Sequence, residues 1–150
     1  MILTEVADPN TGDFDGVTIS VDWELDPEVA FFVLAHLFGH TAQWATDEHA
    51  REVGHRYGLV IPPPEMLETV RLYEEEAARY SLQLLREAGL DGFEQWLSDM
   101  SAADWKFLDH LYRTGEKLDF RQFYQPGSPL LEPLPIPEFQ PRKWVSRFSF

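Results

Sequence analysis

Two histidines, His36 and His40, stand four residues apart in the stretch EVAFFVLAHLFGHTAQW. On an α-helix this spacing sets the side chains about 40° apart around the axis and one turn along it, so both imidazoles can reach a common point. A neutral imidazole nitrogen suits a divalent ion, and a pair so spaced supplies half of a metal site. The other reading is a pair of core histidines bonded to carbonyls or to a carboxylate. On the helical wheel Val29, Phe32, Val33 and Gln43 lie within about 60° of His36, so the pair points into an interior where imidazoles lose solvation and need partners.

The triplet Glu74-Glu75-Glu76 offers the matching carboxylate. Met66, Val70, Tyr73, Ala77, Ser81, Leu84 and Ala88 recur at helical period and define one face. Glu74 lies about 40° from the centre of that face, whereas Glu75 and Glu76 lie roughly 140° and 120° away in opposite senses and are expected to be solvated. Two inward histidines and one inward glutamate make a three-ligand set with a fourth position open, the arrangement of a catalytic rather than a purely structural zinc. Iron or manganese in the same set is the alternative metal.

The elements that must position these residues can be read on either side of them. Residues 2–6 and 17–21 have β-branched content and are separated by the turn-rich DPNTGDFDG, which predicts an antiparallel strand pair joined by a loop. Asp26-Pro27 is an N-cap with proline at the first helical position, and the histidine helix then runs to about Trp44, apolar nearly all round and therefore central. Residues 45–64 form a polar loop or short helix ending at Pro62-Pro63-Pro64. The glutamate helix starts near Glu65 and stops at Ala88 before Gly89, a shorter helix covers 91–98, and another covers 101–114, with Ser101 as N-cap and Gly115 beyond its end. Six prolines fall between 126 and 141 among Leu, Ile and Phe, the composition of an extended, polyproline-like arm that wraps its own domain or docks on a second chain. The expected fold is α+β: a small N-terminal antiparallel strand pair packed on a mainly helical body over 1–123, followed by the arm over 124–150.

Composition limits what the chain can do. A net charge of −14 argues against a phosphate-backbone partner, so nucleic acid is not expected. The basic cluster Arg142, Lys143 and Arg147 reads as pairing with the protein's own acidic surface. With no cysteine there are no thiolate ligands or disulfides, which fits a reducing compartment, and any metal must be held by His and carboxylate. The N-terminus lacks a secretory pattern and no apolar segment reaches membrane-spanning length, so the expected location is cytoplasmic. His49 and His55 read as surface histidines and His110 as a packed helix residue. Glu52-x-x-His55 lacks the second such pair that a di-iron carboxylate site requires.

The stretch VLAHLFGH at 33–40 resembles the zincin helix of the ImmA/IrrE-type metallopeptidases, whose motif is H-E-x-x-H, and EEEAARYSLQLL at 74–85 resembles that family's downstream E-x-E-A-x-x-[FY]-A-x-x-L-L stretch. A strand carrying ISVD at 19–22 just ahead of the helix also suits it, so the likeness covers roughly residues 15–88. It implies a zincin-like fold, zinc as the cofactor and His36, His40 and Glu74 as its ligands. The departure is Leu37, which stands where the family carries the glutamate that accepts a proton from the attacking water and delivers it to the leaving group. Losing a general base costs about 10²–10⁴-fold in rate. Glu75, Glu76, Asp47, Glu48 and Glu52 are the acidic residues near the two helices that could replace it, and none is placed by the sequence. The family often carries Asn or Asp four residues after the glutamate ligand, where this chain has Ala78.

Two functions follow. One is a metallopeptidase-like zinc-binding protein with a degenerate site, which holds a protein or peptide; since ImmA/IrrE-type enzymes act on DNA-binding repressors, the resemblance implies a regulatory client. The other is an active zinc-dependent hydrolase using a non-standard general base. The oligomeric state is not readable from the sequence.

Overall fold

The computed structural model describes residues 1–4, 12–57 and 60–144, with the backbone alone at 2–4. Three short strands come first: β1 (Ile2–Thr4), β2 (Gly12–Phe14) and β3 (Ile19–Asp22). Four helices follow: α1 (Pro27–Thr46), α2 (Glu48–Tyr57), α3 (Leu67–Glu87) and α4 (Glu94–Thr114). The fold is α+β and mostly helical.

The sheet differs from the expected pairing. Its order is β1-β3-β2, with β1 parallel to β3 and β2 antiparallel to it, Phe14 opposite Ile19 and Gly12 opposite Val21. An antiparallel pair is present, but its first member comes from the segment read as turn. The hairpin closes through Asp15, whose carboxylate accepts from the amides of Val17 and Thr18, and Gly16 takes the positive φ of 89° that the turn needs. That local turn chemistry lets Gly12–Phe14 fold back at once on β3, and Phe14 and Val21 bury their side chains against the helices.

Helix α1 begins as its sequence requires, with Asp26 accepting from the amide of Glu28 and Pro27 at N1. It lies against the sheet on one side and α3 on another. Gly39 sets the distance to α3: a Cβ there would collide with the carbonyl of Ala77, so the two backbones touch at a point only glycine permits. The Ser81 hydroxyl lies 2.7 Å from the Ala35 carbonyl and 2.8 Å from that of Ala77, which ties the helices together there.

The expected break at Ser101 does not occur, and α4 is continuous from Glu94 to Thr114. Neither Gly nor Pro falls within it, and Leu97, Met100 and Ala103 bury one continuous stripe, so nothing obliges a stop. It ends where expected, with Gly115 left-handed at φ 72°.

Beyond a 3-10 turn at Phe120–Phe123, residues 125–144 contain no helix or strand. Gln95 donates to the Ser128 carbonyl, Asp99 accepts from the Ser128 amide, and Ser98 accepts from the Leu131 amide. Further on, Phe139 meets Phe38, Lys143 lies 3.4 Å from Asp15, and Arg51 sits over the Trp144 ring. Lys143 thus pairs with the chain's own acidic surface, while Arg147 lies outside the described residues. No helix among the described residues is long and apolar enough to cross a membrane.

Candidate metal centre

The contact at Gly39 brings the three expected side chains together. His36 Nε2 lies 3.0 Å from Glu74 Oε2, His40 Nε2 lies 3.1 Å from the same oxygen, and the two imidazole nitrogens are 3.0 Å apart. Among the described residues these form the one group of three metal-ligating side chains that could hold an ion.

Each ring is held from behind. His36 stacks on Phe32, and His40 stacks on Tyr73 with centroids 4.5 Å apart. The fully buried Gln43 settles how His40 carries its proton. Its amide nitrogen donates to the Tyr73 carbonyl, which can only accept, so its oxygen faces His40 Nδ1 at 2.9 Å and Nδ1 must be the protonated nitrogen. A neutral His40 therefore turns a bare Nε2 towards His36 and Glu74. Ala78, four residues after Glu74, is buried, and the bond that orients His40 comes from Gln43 of α1.

Burial opposes charge on all three groups. In Glu74 the imidazoles of His40 and His36 outweigh it and hold the carboxyl well below the ordinary carboxylate range. In His36 burial is outweighed by the Glu74 hydrogen bond and the pKa is raised, whereas in His40 burial prevails and it is lowered.

With Glu74 ionised, no placement of protons satisfies all three edges of the triangle. The carboxylate needs a proton on both Nε2 atoms, while the contact between the imidazoles needs a proton on one only. One edge is always mismatched, which is costly in a buried setting. A divalent cation removes the conflict, because all three atoms then present lone pairs. The distances suit this, since zinc sits about 2.0–2.2 Å from imidazole nitrogen and carboxylate oxygen. His36, His40 and Glu74 therefore fit a metal ion.

The triangle opens on one side. His40 is closed off, but His36 and Glu74 line a cleft of about 490 Å³, together with Arg71, Arg79, Trp105 and the segment Ser128–Glu132. Asp104 of α4 also lines it, its Oδ2 4.0 Å from His36 Nε2. Burial, and then the charge of Glu74, push the Asp104 carboxyl up to about 6 against the opposing pull of His36. Sequence reading missed this residue. It lies between Ala103 and Trp105 in a helix that the sequence does not connect to α1, and only the packing of α4 on α3 carries it to the centre.

Of the five acidic residues near the two helices weighed as proton acceptors, four are engaged elsewhere and Glu52 lies at the surface. Glu75 lines the cleft but pairs with Arg71 at 2.6 Å, Glu76 hydrogen-bonds Tyr80, Asp47 caps α2, Glu48 pairs with Arg51, and Glu52 is exposed. His49 and His55 are exposed, the latter against Trp44, and His110 packs beside Phe123. None of the three belongs to the metal group.

Leu37 is buried beside Phe14, on the side of α1 that meets the sheet. The position that follows His36 is thus a core position. No protein-family model, curated protein or solved structure matches this chain.

Proposed function

We propose that this chain is a metallopeptidase-like zinc-binding protein, zincin-like in arrangement and cytoplasmic. In this reading His36, His40 and Glu74 hold the ion, and the cleft engages a protein or peptide partner in a regulatory role without efficient hydrolysis. The observation that carries it is the triangle of 3.0–3.1 Å contacts, whose hydrogen bonding no placement of protons satisfies while Glu74 is ionised. Two histidines and one carboxylate with an open side favour zinc, which when bound would act as a Lewis acid towards a group in the cleft. The chain's own residues hold and orient it: Gln43 fixes His40, Phe32 backs His36, and Gly39 lets Glu74 approach. Leu37 supports the binding role, since it can neither take nor deliver a proton.

Metal analysis of protein purified without added ions tests the reading. About one zinc per chain is expected, and His36→Ala should abolish it. Iron or manganese at that stoichiometry would instead indicate non-peptidase chemistry.

A second reading, a zinc-dependent hydrolase with a non-standard base, is favoured by Asp104 alone, a carboxylate in the cleft 4.0 Å from His36. The two readings part on His36→Ala: a hydrolase loses all turnover, whereas a binding protein retains its partner as long as the fold survives.

A further inference from the structure

Asp104 of α4 is the acidic side chain nearest the triangle, and among the described residues no protein donor reaches its carboxylate. Neither a hydrogen bond nor an Arg or Lys ion pair reaches it among the described residues, and its nearest charged neighbours are His36, with Nε2 4.0 Å from its Oδ2, and Glu74. It lines the same cleft as those two side chains and also a second, more apolar cavity beside Phe32, Phe107 and Phe120. Its side chain is 22% exposed, facing the cleft, so a molecule there can supply the donor that the described residues do not.

The distances give it a defined place. The edges of the triangle are 3.0–3.1 Å, and Asp104 stands one step outside at 4.0 Å. It lies on the open side, since the cleft touches His36, Glu74 and Asp104 but not His40.

We propose that Asp104 is the outer carboxylate of the centre: it does not ligate the ion but accepts a hydrogen bond from the molecule that occupies the ion's open side, and so positions it. The group recognised is one that offers both a metal-binding oxygen and a neighbouring N–H or O–H, as an amide hydrate, a hydroxamate or water does. This rests on the metal-binding reading above. It moves the acidic function of the site from α1, where Leu37 stands, to α4.

The test uses full-length protein loaded with cobalt(II), whose visible spectrum reports its ligands, and acetohydroxamate as the probe. Asp104→Asn, nearly isosteric, should still bind cobalt at the wild-type stoichiometry, with acetohydroxamate affinity weakened about 10- to 100-fold, the loss of one charge-assisted hydrogen bond. Asp104→Ser, also unable to accept as an anion, provides the same measurement should the asparagine variant fail to fold. Unchanged acetohydroxamate affinity in a folded variant overturns the proposal. Loss of cobalt from both variants with the fold intact overturns it too, because Asp104 would then be a ligand. If wild type and His36→Ala take up cobalt alike, the metal reading itself has failed and this proposal falls with it, a result distinct from either of the others.

Discussion

The two sides of α1 differ sharply, although they are built from adjacent residues. The side towards α3 carries His36, His40 and Gln43, every one committed to a polar contact, with Gly39 between them keeping the helices close. The side towards the sheet carries Leu37, about 100° round the helix from His36 and about 60° from His40, packed in the apolar cluster with Phe14. One side holds the triangle and the other the core, and the space around Leu37 is filled by hydrophobic packing.

Leu37→Glu breaks this contrast most severely. A carboxylate would enter a pocket formed by Phe14, Val33 and the backbone at Gly12, and the cost is expected to be on the order of 3 kcal/mol, read by urea denaturation. No peptidase activity should appear. A gain of hydrolysis with little loss of stability would show that the sheet side can still serve chemistry. Gly39→Val acts on the other side. Its side chain meets the Ala77 carbonyl and the Ser81 hydroxyl, so α1 and α3 must part at a cost of about 1–3 kcal/mol. Zinc content should fall with it, since the same contact holds Glu74 against both histidines; retained zinc at full occupancy would show the centre to be independent of that approach.

Gln43→Leu sharpens the comparison without separating the helices. It leaves His40 Nδ1 without its partner, removes the side-chain bond to the Tyr73 carbonyl and frees the imidazole to choose its tautomer. Zinc affinity is expected to fall about 10- to 100-fold in chelator competition, the usual effect of removing a group that orients a ligand. Equal affinity in the variant would mean that Tyr73 and Phe14, stacked on the ring, are enough to orient it.

The residues of the centre were legible in the sequence because helical period alone decides which side of a helix a residue occupies. His36, His40 and Glu74 needed only that period and an apolar face to be placed inward. The cap at Asp26, the stop at Gly115 and the mainly helical body were legible for the same local reason. The strand pairing was not, because three-residue strands carry little pattern and the turn at Asp15–Gly16 makes a hairpin out of residues that read as loop. Nor was the continuity of α4: Ser98 and Ser101 look like boundaries, yet the Ser98 hydroxyl bonds back to the Glu94 carbonyl within an unbroken helix. Asp104 was out of reach for a stronger reason. Its meaning comes from contact between α4 and the pair α1–α3, and no spacing along one helix encodes that.

The smallest expected effect lies across the cleft, where the wall facing the centre depends on one carboxylate. Asp99 accepts from the Ser128 amide at 2.7 Å and from Gln95 at 3.0 Å. Burial opposes its charge, but the Ser128 amide, Gln95 and the Gly127 amide outweigh this and hold the carboxyl below its ordinary value. Because the folded value is the lower one, the stability Asp99 contributes is present in full above the unfolded value of about 4 and is lost as the pH falls through the folded value. Asp99→Asn should remove on the order of 1 kcal/mol, confined to the segment Ser128–Glu132. Hydrogen exchange at the Ser128 and Leu131 amides is the measurement: their protection should drop in the variant, and in the wild-type chain at low pH, while amides of α1 and α3 beside the triangle keep theirs. Equal losses at both places would show that wall and centre open as one unit, and that the division drawn through α1 does not extend across the cleft.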